Sequence, residues 1–437
     1  MTQRIQAFTR REFLGAGAAL VGLHATVPGF LAESARAMAC ADAAAGGAAR
    51  RGGRDGRVLV VVQLAGGNDG LNTVIPFRND VYHRHRPKLG IAARDVLKID
   101  ADVGFHPNAA GLKSLWDAGM LCVVQGIGYP NPNRSHFVGS RIWETASPDG
   151  RLTNGWIGRY FDNTCAGADP CGPTAGIALV GETPLAMRGE RFMPISVQDA
   201  PRFGTGLGGG RRGGGRGRRD ARSMQDIAGR LAMDGGRDAQ RAGPLDFLRR
   251  SALDAAVAAG RIREAAGRAI DGAQFPNTPF ARSLRSVARM IAAGMPTTVY
   301  YVSIGGFDTH VNQADRHGRV LLQLAGGLRA FVDALRRTGD LPRTLVMTFS
   351  EFGRRVAENA SGGTDHGEAA PLFVIGDAVR AGFVGALPSL ERLHRGDLAF
   401  GTDFRQVYAT VLRDWLRADA DAVLQKRWPS LPLIKKT

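Results

Sequence analysis

Val58-Leu-Val-Val-Val-Gln-Leu64 runs without a break into Ala65-Gly66-Gly67-Asn68-Asp69-Gly70, and the reading of that junction decides the fold. An apolar, largely β-branched run with no polar alternation describes a strand buried on both faces, as in parallel sheets covered by helices. The glycines and the aspartate that follow turn the chain at the strand's carboxyl end, where ligands bind in such sheets. The same juxtaposition recurs. Thr298–Ile304 leads into Gly305-Gly306-Phe307-Asp308-Thr309-His310, and Leu345–Phe349 leads into Ser350-Glu351-Phe352-Gly353-Arg354. Gly363-Thr364-Asp365-His366-Gly367 sits just ahead of a fourth run, Leu372–Ile375. Asp and Gly are ordinary turn formers, which accounts for any one motif but not for four that include His and Glu. Asp69, Asp308, His310, Glu351, Asp365 and His366 are residue types that bind divalent metal. They are expected to converge on one rim, holding Zn²⁺ or Mn²⁺ with some subset of the six.

Outward from these junctions, further strands are expected at Leu121–Ile127 and Ile177–Val180. Helices are expected near 109–118, 136–145, 245–269, 279–293, 316–337 and 404–417. Strands alternating with helices argue an α/β fold with a mostly parallel central sheet, occupying 57–437 as one domain. Within it, residues 204–222 place Arg211, Arg212, Arg216, Arg218 and Arg219 among glycines. Such a segment cannot bury a core and reads as a disordered insertion.

The amino terminus indicates the compartment. Thr9-Arg10-Arg11-Glu12-Phe13-Leu14 is a twin-arginine export signature followed by the moderately apolar Gly15–Val27, with A-x-A sites at Ala37-Met38-Ala39 or at Ala35 and Ala37. Residues 1–39 therefore read as a signal peptide and 40–56 as a polar spacer, which makes the protein periplasmic or secreted. The apolar stretch is shorter than the roughly 20 residues of a membrane span. Cys40 invites a lipoprotein reading, but residues 37–39 lack the leucine that opens a lipobox. A net charge of +17 would suit nucleic acid, yet much of it lies in the leader, the spacer and the Gly/Arg segment. The expected partners are instead a small anionic substrate or an anionic envelope polymer. Cys165 and Cys171 form either a disulfide after export or two free thiols.

Ser135 follows the turn-rich Gly128-Tyr-Pro-Asn-Pro-Asn-Arg134 and opens a helix, where amide N–H groups and the helix dipole favour an anion. A serine there could attack phosphorus or sulfur; it is also an ordinary N-cap. His136 is adjacent, and neighbours on a helix diverge, so no Ser–His pair is implied. Arg354 or Arg355 could clamp an anion, a surface ion pair being the plainer reading. His106, before Pro107, reads as structural.

The blocks Leu64–Phe77, Asn133–Phe137, Phe307–His310, Ser350–Arg355 and Gly363–Gly367 together resemble a family of twin-arginine-exported bacterial proteins, domain of unknown function 1501. That family is in turn similar to the alkaline phosphatase and sulfatase superfamily. The resemblance implies an alkaline-phosphatase-like three-layer sandwich. It also implies that Asp69 is a metal-binding strand-end aspartate, Ser135 the nucleophile, and Asp308 with His310 the first Asp/His pair. The chain departs from the superfamily in three places. Ser350-Glu351 stands where Asp-His is usual. Asp365-His366 falls before the following strand. The Asp308–His310 spacing is shorter than Asp-x-x-x-His, with His317 further along. A single metal, or an anion site without hydrolysis, fits these departures. The Gly-x-Asn-Asp block also resembles SGNH esterases, but only leader or spacer residues precede it to supply their serine. The expected function is an exported metal-dependent hydrolase of phosphate or sulfate esters. The alternative is a catalytically inactive envelope binding or assembly protein on the same fold.

Overall fold

The computed structural model describes residues 56–165, 171–172, 174–203 and 257–435; the leader, the spacer up to residue 55 and the Gly/Arg segment lie outside the described residues. One sheet dominates. Its strands are β1 (Val58–Leu64), β2 (Leu121–Gly128), β3 (Gly176–Leu179), β4 (Ile195–Ser196), β5 (Val299–Ile304), β6 (Thr344–Phe349), β7 (Ala370–Ile375), β8 (Gly382–Val384) and β9 (Thr402–Asp403). They lie in the order β8-β2-β7-β6-β1-β5-β3-β4, with β9 beside β2. β1 is central and parallel to both neighbours, Leu59 opposite Val299 and Val58 opposite Thr344. Within this sheet, only β7 runs antiparallel to its neighbours among the described strands.

Both faces of β1 are covered, which is why its sequence shows no alternation. Val58, Val60, Val62 and Leu64 enter one core with helices α1 (Ala110–Asp117), α4 (Pro279–Ala292), α5 (Gln313–Thr338) and the helix at 257–267. Leu59 and Val61 enter a second core with α2 (His136–Thr145), α3 (Trp156–Thr164) and α6 (Phe404–Thr410). Helices on both faces of a mostly parallel sheet give the expected three-layer sandwich. No described helix is long and apolar enough to cross a membrane. The Cys165–Cys171 alternative resolves to a disulfide, and Cys122 is a buried free thiol.

The reversal of β7 positions the site. In a parallel strand, a motif just ahead of the first residue would lie at the opposite end of the sheet from motifs that follow β1, β5 and β6. Because β7 is antiparallel, Gly363–Gly367 enters on the same rim, where Arg354 and His366 form a bridge. Close approach then demands glycine: a Cβ on Gly66, at φ +119°, would collide with the Asp308 amide.

Candidate metal centre

Three imidazoles are each held by Nδ1 and turn Nε2 toward Asp308. His366 Nδ1 lies 2.7 Å from the Arg134 carbonyl, His310 Nδ1 3.0 Å from Asp365 Oδ1, and His136 Nδ1 2.9 Å from Glu351 Oε1. Carbonyl and carboxylate oxygens accept only, so in the neutral rings each proton sits on Nδ1 and each Nε2 presents a lone pair. The two Nε2 atoms of His310 and His366 stand 2.9 Å apart. Asp308 Oδ1 is 3.1 Å from the first and 3.4 Å from the second, and Asp308 Oδ2 is 3.6 Å from His136 Nε2. Ligand atoms of His136, Asp308 and His366 all fall within 4.8 Å of one another.

This donor set fits a divalent cation. Donors about a tetrahedral zinc, with bonds of about 2.0–2.1 Å, stand about 3.3 Å apart, and the four separations straddle that figure. Lone pairs facing each other at 2.9 Å repel unless a proton or cation lies between them. Acceptors behind metal-binding imidazoles fix their tautomer and aim, as Glu351, Asp365 and the Arg134 carbonyl do here. Burial alone would raise Asp308, but the Arg354 hydrogen bond and charge, with His310 and His366, hold its carboxyl below the ordinary value. Asp365 is lowered by hydrogen bonds from His310 and Asn359. Burial lowers His366, against the Arg134 carbonyl, which favours its proton.

The structure thus brings Asp308, His310 and His366 together, and it places the other candidate residues differently. Glu351 and Asp365 stand one step back, each behind an imidazole. Glu351 is buried and also accepts from the Gly66 amide at 2.8 Å. Asp69 is engaged elsewhere: Oδ1 accepts from the Leu71 and Asn72 amides, and Oδ2 from Gln313 and from Arg86 at 2.6 Å. Four protein donors leave that carboxylate no lone pair to offer a metal. Arg354, read as a surface ion pair or an anion clamp, is fully buried and is neither. Its guanidinium donates to the carbonyls of Gly66, Gly67, Phe307 and Thr364 and to Asp308 Oδ1 at 2.6 Å. One side chain therefore ties the loops after β1 and β5 to the loop before β7.

His136 is the residue the sequence reading passed over. It occupies the first position of α2, directly after the N-cap Ser135. The signal that marks it is a histidine in a turn-to-helix junction of a chain with only 9 histidines. Ser135 is exposed, and its hydroxyl makes no capping hydrogen bond. His317 lies apart from this group, buried beside Asn68.

Residues 237–425 match the family described as "Protein of unknown function (DUF1501)". That segment contains Asp308, His310, Glu351, Asp365 and His366, whereas Asp69, Ser135 and His136 precede it. No curated protein matches the chain. Among solved structures, the chain is similar in outline to the PsFucS1 sulfatase from Pseudoalteromonas sp., at 11% identity over 86% of this chain and 70% of that one, TM-score 0.37. It is likewise similar to the lipoteichoic acid synthase LtaP from Listeria monocytogenes, at 10% identity over 85% and 80%, TM-score 0.29. A third is the phosphonate monoester hydrolase SpPMH from Silicibacter pomeroyi, at 9% identity over 85% and 78%, TM-score 0.28. At that depth the likeness is one of outline, and neither substrate nor metal passes from these proteins to this one.

Proposed function

We propose that this protein is an exported, metal-dependent hydrolase of phosphate or sulfate esters. The convergence of three Nε2 atoms on Asp308, each ring locked from behind, carries this reading. His136, His310, His366 and Asp308 would hold one divalent cation, and the nitrogen-rich set favours Zn²⁺ over Mn²⁺. A cation bound there would offset the charge of an anionic ester and polarise it. The chain's own contributions follow from the contacts. Glu351, Asp365 and the Arg134 carbonyl orient the imidazoles, and Arg354 fixes Asp308. Ser135, beside His136, has a hydroxyl not spent on capping and is the proposed nucleophile, with the first amides of α2 available to the ester oxygens. Export is supported by the twin-arginine signature and by the Cys165–Cys171 disulfide, a bond that oxidising compartments sustain.

One observation favours the second reading, an envelope binding protein. Arg86 neutralises Asp69, so a second cation has no anchor there. Metal analysis of the purified exported protein, run beside a panel of aryl phosphates and sulfates, separates the two. Stoichiometric metal with turnover supports the hydrolase; metal without turnover supports the binding protein; absence of both overturns the metal centre.

A further inference from the structure

A cavity of mixed polar and apolar lining shares none of the proposed metal ligands. It measures about 440 Å³, and its lining includes Lys88, Arg94, Asp95, His106, Gln313 and His317. The size suits a small molecule, and the inner end carries hydrogen-bonding capacity that the protein leaves unused. His106 Nδ1 accepts the Asn108 amide at 3.0 Å. Its proton is therefore on Nε2, which donates to no group among the described residues. His317 is 1% exposed and holds Nε2 against Asn68 Oδ1 at 3.1 Å, while its Nδ1 has no partner. Asn68 Nδ2, behind it, is also unpartnered. Buried polar atoms left unsatisfied destabilise a fold, so a ligand that pairs with them is favoured.

The two rings stand edge to face at 6.0 Å. Burial holds both neutral near pH 7, His106 down at about 4 and His317 at about 3. A neutral imidazole edge is a donor or an acceptor according to tautomer, and a hydroxyl group answers either. The lining also carries two cationic side chains, Lys88 and Arg94, against one carboxylate, Asp95. Lys88 has no carboxylate within ion-pair distance among the described residues, and Arg94 is only loosely paired with Asp95, at 3.6 Å. The backbone there is built rather than loose: Glu358 accepts from the Lys88 and Leu89 amides, the latter at 2.7 Å.

We propose that this cavity binds a small hydroxylated anion, its hydroxyl between His106 and His317 and its charge at Lys88 and Arg94. Gln313 links the cavity to the metal-centre loops, because its Oε1 accepts from Thr309 at 3.0 Å and Thr364 at 2.6 Å. The proposal does not depend on the hydrolase reading, since binding is measured without turnover.

The full-length exported protein is titrated calorimetrically with gluconate, a carboxylate, and with glycerol 3-phosphate, a phosphate. Hexanoate and sulfate, which lack hydroxyls, serve as controls. At least one hydroxylated probe should bind at millimolar concentration or tighter, and which one identifies the anionic group. Lys88→Ala and His106→Phe should each weaken it about tenfold. Lys88→Ala, a surface change, keeps the test alive if the histidine variant fails to fold. Silence with both probes, equal binding of the controls, or undiminished binding by the variants would overturn the site.

Discussion

Asp69 and His136 stand differently in the structure from their reading in the sequence, and both differences have physical causes. A strand-end aspartate reads as a ligand until its partner is known, and that partner, Arg86, lies in a loop with no motif to mark it. The pair is buried, with side-chain exposures of 0% and 1%. Breaking it strands a buried charge, so Asp69→Asn should cost about 3–5 kcal/mol of unfolding free energy without changing bound metal per folded molecule. Denaturant titration and metal analysis check both halves, and proportional loss of metal would return Asp69 to the ligand set. His136 was hidden by Ser135, since an N-cap serine explains itself. His136→Ala should therefore release metal from a still-folded protein, whereas Ser135→Ala should abolish turnover and retain metal. His106 and His317 supply a pH dependence. Burial depresses both from 6.5, to about 4 and about 3, so between those values and 6.5 the unfolded chain binds protons that the folded chain refuses. Their contribution to stability is intact above pH 6.5 and falls away as the pH drops. By pH 5 the loss is about 2 kcal/mol per histidine. Chemical denaturation at pH 7 and pH 5 measures it, and His317→Asn should roughly halve the difference, His106 supplying the rest.

The elements were more legible than the residues, because burial leaves a mark on every position of a strand. β1 matches its apolar run from Val58 to Leu64, and α2 begins at His136 and ends at Thr145 as the turn residues before it imply. What the sequence could not disclose was the direction of β7. An apolar hexapeptide reads the same in either orientation, and direction alone decides whether His366 reaches the rim. Register between loops was equally silent, since it is imposed by Arg354, whose five acceptors come from three separate loops. Lysine offers a point charge and three donors in place of a rigid fork. Arg354→Lys should therefore loosen the loops together, lowering the melting temperature and weakening metal binding by about 10–100-fold. Metal affinity equal to that of the native protein would show that the loops hold their positions without the guanidinium.

For the molecule as a whole, the class of fold was readable because strands and helices alternate along the chain, while the site was only half readable because its members come from both sides of residues 204–256. The segment at 237–425, which matches the DUF1501 model, carries three of the four proposed ligands, and the fourth arrives on α2 from outside it. Expressed alone, that segment should neither fold cooperatively nor retain metal, which circular dichroism and metal analysis would show. The order of the sheet extends the point to the way the chain matures. β1 is the middle strand and among the first to leave the ribosome, yet both of its neighbours are encoded after residue 298. Val58 cannot meet Thr344 until almost 290 residues more have been synthesised, which at roughly 5–20 residues per second is on the order of tens of seconds. Throughout that interval an exposed, strongly apolar segment waits without a partner. The central strand of the sheet is therefore one of the last to gain its native neighbours during synthesis.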